Sequence, residues 1–229
     1  MKPALREQVA EAWRFRERVE REAAERFERM AAAIARLDAD STVPARMRQA
    51  ASDERRHAEL CARLAEEYGS AAAHALEPTE IAPRRLGPRE AVLYEVVAAC
   101  CITETESVAT VTTLLAENAA PRVREVLHEI ARDEVAHSRM GWAHLAREAE
   151  RGDVSFLSAW IPAMLSGTVG DELFRASDEP EELLEHGVLP RARKREVFVG
   201  ALEEVVLPGL RRFGIDVAPA RAWLAERAG

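Results

Sequence analysis

The chain has 229 residues, of which 48% are apolar and 31% charged, and a formal net charge of −8. That balance supports a sizeable core and argues against a phosphate-binding face, since the arginines alternate with glutamates instead of clustering; nucleic acid is not an expected partner. No apolar run approaches the roughly 18 residues of a membrane span, and the best candidate, Ala91 to Ile102, is broken by Glu95.

The first residues pass from Met1-Lys2-Pro3 directly into a charged pattern with no apolar leader region. Cys61 and the adjacent pair Cys100 and Cys101 make neither a disulfide framework nor a Cys-x-x-Cys metal pair. A cytoplasmic protein with reduced thiols and no membrane partner is expected.

Leu5 to Leu37 is rich in Ala, Glu and Arg and lacks Gly and Pro, which predicts a long helix. Trp13, Phe27 and Ile34 fall on a heptad repeat, and Glu20 occupies the place between Trp13 and Phe27. A carboxylate on a core line must be paired, protonated or bound to a cation. Glu17, one turn from both Trp13 and Glu20, is the alternative; Glu22, Glu25 and Glu28 fit less well. Turn-forming residues from Asp38 to Pro44 lead into a second helix, Pro44 to Tyr68, stopped by Gly69. A connection of about twenty residues containing Pro78, Pro83, Gly87 and Pro88 suits a crossover between helices that run parallel.

The third helix is expected over about Arg89 to Asn118 and the fourth over Pro121 to Arg151, ending at Gly152. From Asp153 to Gly229 the pattern is one of shorter helices broken by Pro and Gly. The clearest, Arg191 to Leu207, has Val197, Phe198, Leu202, Val205 and Val206 as its apolar face. The chain therefore reads as all-α: residues 1–151 as a four-helix bundle and 152–229 as a helical C-terminal cap packed on it.

Two copies of one signature carry the chemistry. Asp53-Glu54-Arg55-Arg56-His57 and Asp133-Glu134-Val135-Ala136-His137 repeat the same Asp-Glu-x-x-His order on two separate predicted helices. Positions i and i+3 share a helix face, so each Glu and His can present a carboxylate and an imidazole to one point. A two-metal cage between four helices takes one further carboxylate from each remaining helix. The upstream candidates are Glu20, before Glu54, and Glu104, before Glu134. The interval from Glu20 to Glu54 is the longer of the two, by as much as its connection at 38–43 exceeds the connection at 119–120. With those connections removed the two intervals are equal, so one helical hairpin is used twice.

On Glu20, Glu54, His57, Glu104, Glu134 and His137 the sequence resembles the ferritin-like superfamily of di-metal carboxylate proteins, which includes ferritins, bacterioferritins, rubrerythrins and di-iron oxygenases. The resemblance covers residues 1 to about 151. It implies a four-helix bundle with a C-terminal helical extension. Glu20 and Glu104 would be mainly terminal ligands, Glu54 and Glu134 bridges, and His57 and His137 ligands to one metal each. Such oxygen and nitrogen donors suit two Fe ions, Mn or a mixed Fe/Mn pair. A ligating His usually donates its other ring N–H to a carboxylate or carbonyl. By pseudo-symmetry Asp53 would support His137 and Asp133 would support His57; the alternative for each is a solvated aspartate.

Other residues are weaker candidates. His144, two turns beyond His137, lies ~10 Å further along the helix, too far to be a ligand, and reads as a core or rim histidine. His128, His74 and His186 read as surface residues, Cys61 and Cys101 as small core fillers near the cage, and Tyr94 as lying off the Glu104 face. Rubrerythrin-type peroxidases usually add a carboxylate one turn after the third-helix Glu, where this chain has Ser107, and many carry a Cys-x-x-Cys iron domain that is absent here. The resemblance thus implies a non-haem di-iron oxidoreductase acting on O2 or peroxide, with an unknown small-molecule substrate and electron donor. A ferroxidase or iron-handling protein and a bundle with a structural metal are the alternatives, and a homodimer is one assembly left open.

Overall fold

The structure, a computed structural model, describes residues 1–38, 41–70, 81–83 and 85–228. Helix α1 spans Pro3–Leu37, with the proline at its first position, where its missing N–H costs nothing. Helix α2 spans Val43–Glu67. It ends because Gly69 takes a positive φ of 95°, letting the Ser70 N–H reach back to Ala65 O at 2.9 Å and close the last turn. Most of the expected Pro-rich crossover, with His74 and Pro78, lies outside the described residues.

Helix α3 spans Pro88–Val96 and opens with the Glu90 carboxylate accepting the Gly87 N–H at 2.9 Å. A π-helical turn, Val97–Thr103, joins it to α4, Glu104–Ala116, and α5 spans Pro121–Arg151. The tail holds α6 (Ile161–Thr168), α7 (Arg191–Ala201), a second π turn (Leu202–Val206), α8 (Leu207–Arg211) and α9 (Ala218–Ala228), with short 3₁₀ turns between. There is no strand among the described residues. No helix among them is long and apolar enough to cross a membrane.

The third helix is therefore not the continuous α-helix expected from its composition. In the π turn Thr103 Oγ1 donates to Ala98 O at 3.1 Å and the Glu104 N–H reaches Ala99 O, each five residues back. Each π turn contains one residue more than the α-turn it replaces, so every residue after it is rotated on the helix surface. The same effect corrects the tail's apolar face. Phe198, Leu202 and Val206 are buried as expected, whereas Val205 is 49% exposed and Leu207 and Leu210 take over the buried line.

The contacts divide the chain into two compact units. The first contains residues 1–81, 111–133 and 180–190, among the described residues. Its α1 and α2 pack along their length with Trp13, Phe27, Met30, Ile34, Met47 and Leu64 buried. A short tail segment completes it: Trp13 Nε1 donates to His186 O at 2.9 Å, Tyr68 Oη pairs with His186 Nδ1 at 3.0 Å, and the Ala120 N–H donates to Glu185 O at 2.8 Å. Gly187, at φ 73°, sits against Trp13 and Val123, where any Cβ would clash.

The second unit contains 82–110, 134–179 and 191–229, among the described residues. Its core runs from Leu93, Val97, Cys101 and Ile102 through Leu145, Leu157 and Ile161 to Phe198, Leu202 and Leu207. Phe174, Phe198 and Trp223 meet edge to face at its edge, with centroid separations of 5.7 to 6.4 Å.

Candidate metal centre

In the first unit, the i, i+3 spacing on α2 does what the sequence requires of it. Glu54 and His57 are both fully buried, and His57 Nδ1 lies 3.2 Å from Glu54 Oε2. Helix α1 supplies Glu20, 5% exposed, and ligand atoms of Glu20, Glu54 and His57 all lie within 4.8 Å of one another. Glu17 is also buried, but its Oε1 accepts both Arg21 Nε and Arg21 Nη2, at 3.0 and 2.8 Å. Arg16 lies 3.3 Å from Glu20.

The far side of the His57 ring is held as well. Nε2 lies 3.2 Å from Asp133 Oδ2, so each ring nitrogen faces a carboxylate, Nδ1 that of Glu54 and Nε2 that of Asp133. Burial raises the Asp133 pKa, but hydrogen bonds from His57, Arg132 and Arg56 outweigh it and hold the carboxyl below its usual range. Asp53 accepts from Gln49 Nε2 at 3.1 Å and Arg56 Nη1 at 3.0 Å.

In the second unit, ligand atoms of Glu104, Glu134 and His137 likewise lie within 4.8 Å of one another, with the three residues 6%, 1% and 3% exposed. His137 Nδ1 is 3.5 Å from Glu134 Oε2, and Ser107 Oγ donates to Glu134 Oε1 at 3.1 Å. The hydroxyl at 107 therefore grips a carboxylate of the triad from the position where rubrerythrin-type peroxidases usually place another carboxylate. Opposite the π turn, Gly141 lets Cys100 approach so closely that a Cβ there would overlap Cys100 Cβ.

Carboxylates crowded at these distances and removed from water repel one another, and a bound cation would relieve them. The donors are carboxylate oxygen and imidazole nitrogen, which fit iron or manganese. Burial pushes the Cys61 and Cys101 thiols well above their usual range, and neither belongs to these clusters of donors.

The sequence matches the rubrerythrin family over residues 15–145. The chain belongs to the rubrerythrin family. Rubrerythrins are ferritin-like di-iron carboxylate proteins, so both the expected superfamily and the all-α ferritin-like bundle are borne out. No curated protein and no solved structure matches the chain.

Several residues of the chain stand elsewhere than their sequence context implied. His186 is half-buried and bonded to Tyr68, not a plain surface residue, while His128 is exposed as expected. His144 is buried, and its Nδ1 makes no hydrogen bond among the described residues. Burial lowers its pKa below the usual histidine value. Tyr94 is buried against Trp160, edge to face at 6.1 Å.

Glu148 and Arg89 went unnoticed in the sequence. The buried Glu148 carboxylate takes Arg89 in a two-point pair at 2.5 and 2.8 Å. A charge among many on a helix gives no advance sign of burial, so only the spacing of Glu148 from His144 hinted that it shares the inner face.

Proposed function

We propose that this protein is a non-haem di-iron oxidoreductase that uses O2 or peroxide as oxidant on a small-molecule substrate, with an external electron donor. Glu20, Glu54, His57, Glu104, Glu134 and His137 would be the ligands that hold two metal ions, Glu54 and Glu134 serving both. Asp133 orients His57, whereas Asp53 accepts from Gln49 and Arg56. The observation that carries the reading is that each compact unit holds two carboxylates and one imidazole, all buried and mutually within 4.8 Å, inside the span that matches the family.

Iron bound there would supply the electrons that reduce O2 or peroxide. The chain's own residues do the rest. Burial of the ligands keeps bulk water from the reacting oxidant. Asp133, accepting at His57 Nε2, would leave Nδ1 as the ring atom offered to the metal. Ser107, donating to Glu134 Oε1, sets which carboxylate oxygen faces His137.

The test loads the purified protein with Fe(II) without air, then mixes it with limiting O2 or hydrogen peroxide and follows oxidant consumption and the iron spectrum. Two Fe per chain with stoichiometric oxidant loss and no particle growth is the expected result. Iron that stays bound without reacting would make the centre structural. Rapid oxidation that ends in a mineral core would make the protein a ferroxidase.

A further inference from the structure

Both aspartates that open the two motifs fall on one arginine. Arg56 Nη1 donates to Asp53 Oδ1 at 3.0 Å, and Nη2 donates to Asp133 Oδ2 at 2.5 Å. That same Asp133 oxygen accepts the His57 Nε2–H at 3.2 Å. One planar guanidinium thus spans two carboxylates, one of which is the direct partner of a triad imidazole. The arginine side chain is 39% exposed, but the carboxylates are only 12% and 17% exposed, so the pairs are partly shielded from water.

The arrangement is one-sided. The second motif has Ala136 where the first has Arg56, so the cation of the first copy serves the aspartates of both. Two further partners of those carboxylates fix direction less firmly. Asp133 Oδ1 has Arg132 Nε at 3.4 Å, and Asp53 has the neutral Gln49 amide. A forked, permanently charged side chain is what holds two carboxylates at fixed separation.

We infer that Arg56 is a positioning residue of the metal centre: it locks Asp133 against His57 Nε2 and ties Asp53 to the same anchor, so that one side chain sets the orientation of the outer carboxylates of both motifs. This rests on the metal-centre reading above and deepens it. Arg56 reaches the imidazole only through Asp133, so its influence on a ligand is carried by the direction in which that carboxylate is held.

Co(II) titration of the full chain tests this, because its visible absorption reports both affinity and coordination without any turnover. The unaltered protein should take up two Co(II) per chain. Arg56→Ala should weaken binding of at least one ion by about 10- to 100-fold and shift the band. Arg56→Lys, which keeps the charge but not the fork, should recover part of the affinity and not the spectrum. Arg56→Ala combined with Asp133→Asn should be no weaker than the worse single variant, since both act on one chain of contacts.

Circular dichroism melting of the metal-free variants separates this from mere structural support; melting should be nearly unchanged. Parent affinity and spectrum retained in Arg56→Ala would overturn the inference, as would full multiplication of the two single effects or a large loss of metal-free stability. An unaltered chain that takes up no Co(II) would remove the metal-centre reading itself, and this one with it.

Discussion

His57 and His137 close the same five-residue motif, and each lies near a glutamate one turn earlier, yet their surroundings differ. On the first motif the neighbouring positions are ionic: Arg56 reaches two aspartates and Asp133 grips the imidazole. On the second, Ala136 replaces the arginine, a serine hydroxyl holds the glutamate, and Gly141 stands at the place that Cys61 fills in the first. The two motifs share their candidate ligands and their leading aspartates, while the other contacts around them differ. Metal coordination would constrain the candidate ligands narrowly, whereas supporting contacts need only hold them still.

The largest effect should come from removing the shared carboxylates. Glu54→Ala and Glu134→Ala should each cost at least one of the two bound metals, read as metal content after Fe(II) loading. Full metal content with an unchanged spectrum in either variant would end the equivalence of the two motifs. Next comes the helix α1 carboxylate. Glu20→Ala should weaken Co(II) binding far more than Glu25→Ala, and Glu17→Ala should do less than Glu20→Ala because the Glu17 carboxylate is occupied by Arg21. A larger effect at Glu17 would move the ligand by one turn and break the equality of the two intervals.

A third change sharpens the contrast between Gly141 and Cys61. Gly141→Ala forces the π turn off α5, because the new Cβ would overlap Cys100 Cβ. A loss of about 1–3 kcal/mol is expected by thermal or urea unfolding. Because the π turn that holds Cys100 leads directly into Glu104, Co(II) affinity should fall as well. Unchanged stability would mean that the close approach is not needed.

The smallest effect concerns His144, whose counterpart in the first copy, at the same distance beyond the motif, is the apolar Leu64. Its pKa is lowered in the fold, so as pH falls below about 6.5 the unfolded chain binds a proton that the folded chain resists. The native state therefore loses stability toward acid through this group. His144→Leu should flatten that part of the stability profile of the metal-free protein, and at pH 7.5 should change stability by about 1 kcal/mol or less, since a buried Nδ1 without a hydrogen bond is removed. Parallel profiles for parent and variant between pH 7.5 and 5 would refute the assignment.

The long helices were legible because they are long: α1, α2 and α5 carry enough apolar repeats, prolines and glycines to mark their ends, and α5 matches its predicted span of Pro121 to Arg151. The six candidate ligands were legible for a different reason. Glu-x-x-His is a local pattern, and the upstream glutamates were found from equal intervals, both of which survive without any knowledge of packing. The π turns were not legible, because α and π turns share residue preferences; what distinguishes Val97–Thr103 is Gly141 facing it from a distant helix. Val205 was misread for that reason alone. Arg56 was hidden by abundance, as one arginine among many, although its replacement by Ala136 in the second copy was a visible asymmetry.

The Trp13 indole waits for a partner 173 residues away. During synthesis at about 5–20 residues per second, roughly ten to thirty seconds separate the emergence of the two. Throughout that interval α1 and α2 can pair, but the end of the bundle that residues 180–190 close remains open, and Trp13 keeps an unmet N–H. The nascent hairpin is thus held short of its final form by chain order alone. A ribosome-bound chain that stops before residue 180 should show Trp13 fluorescence of a wetter ring than one released after residue 190.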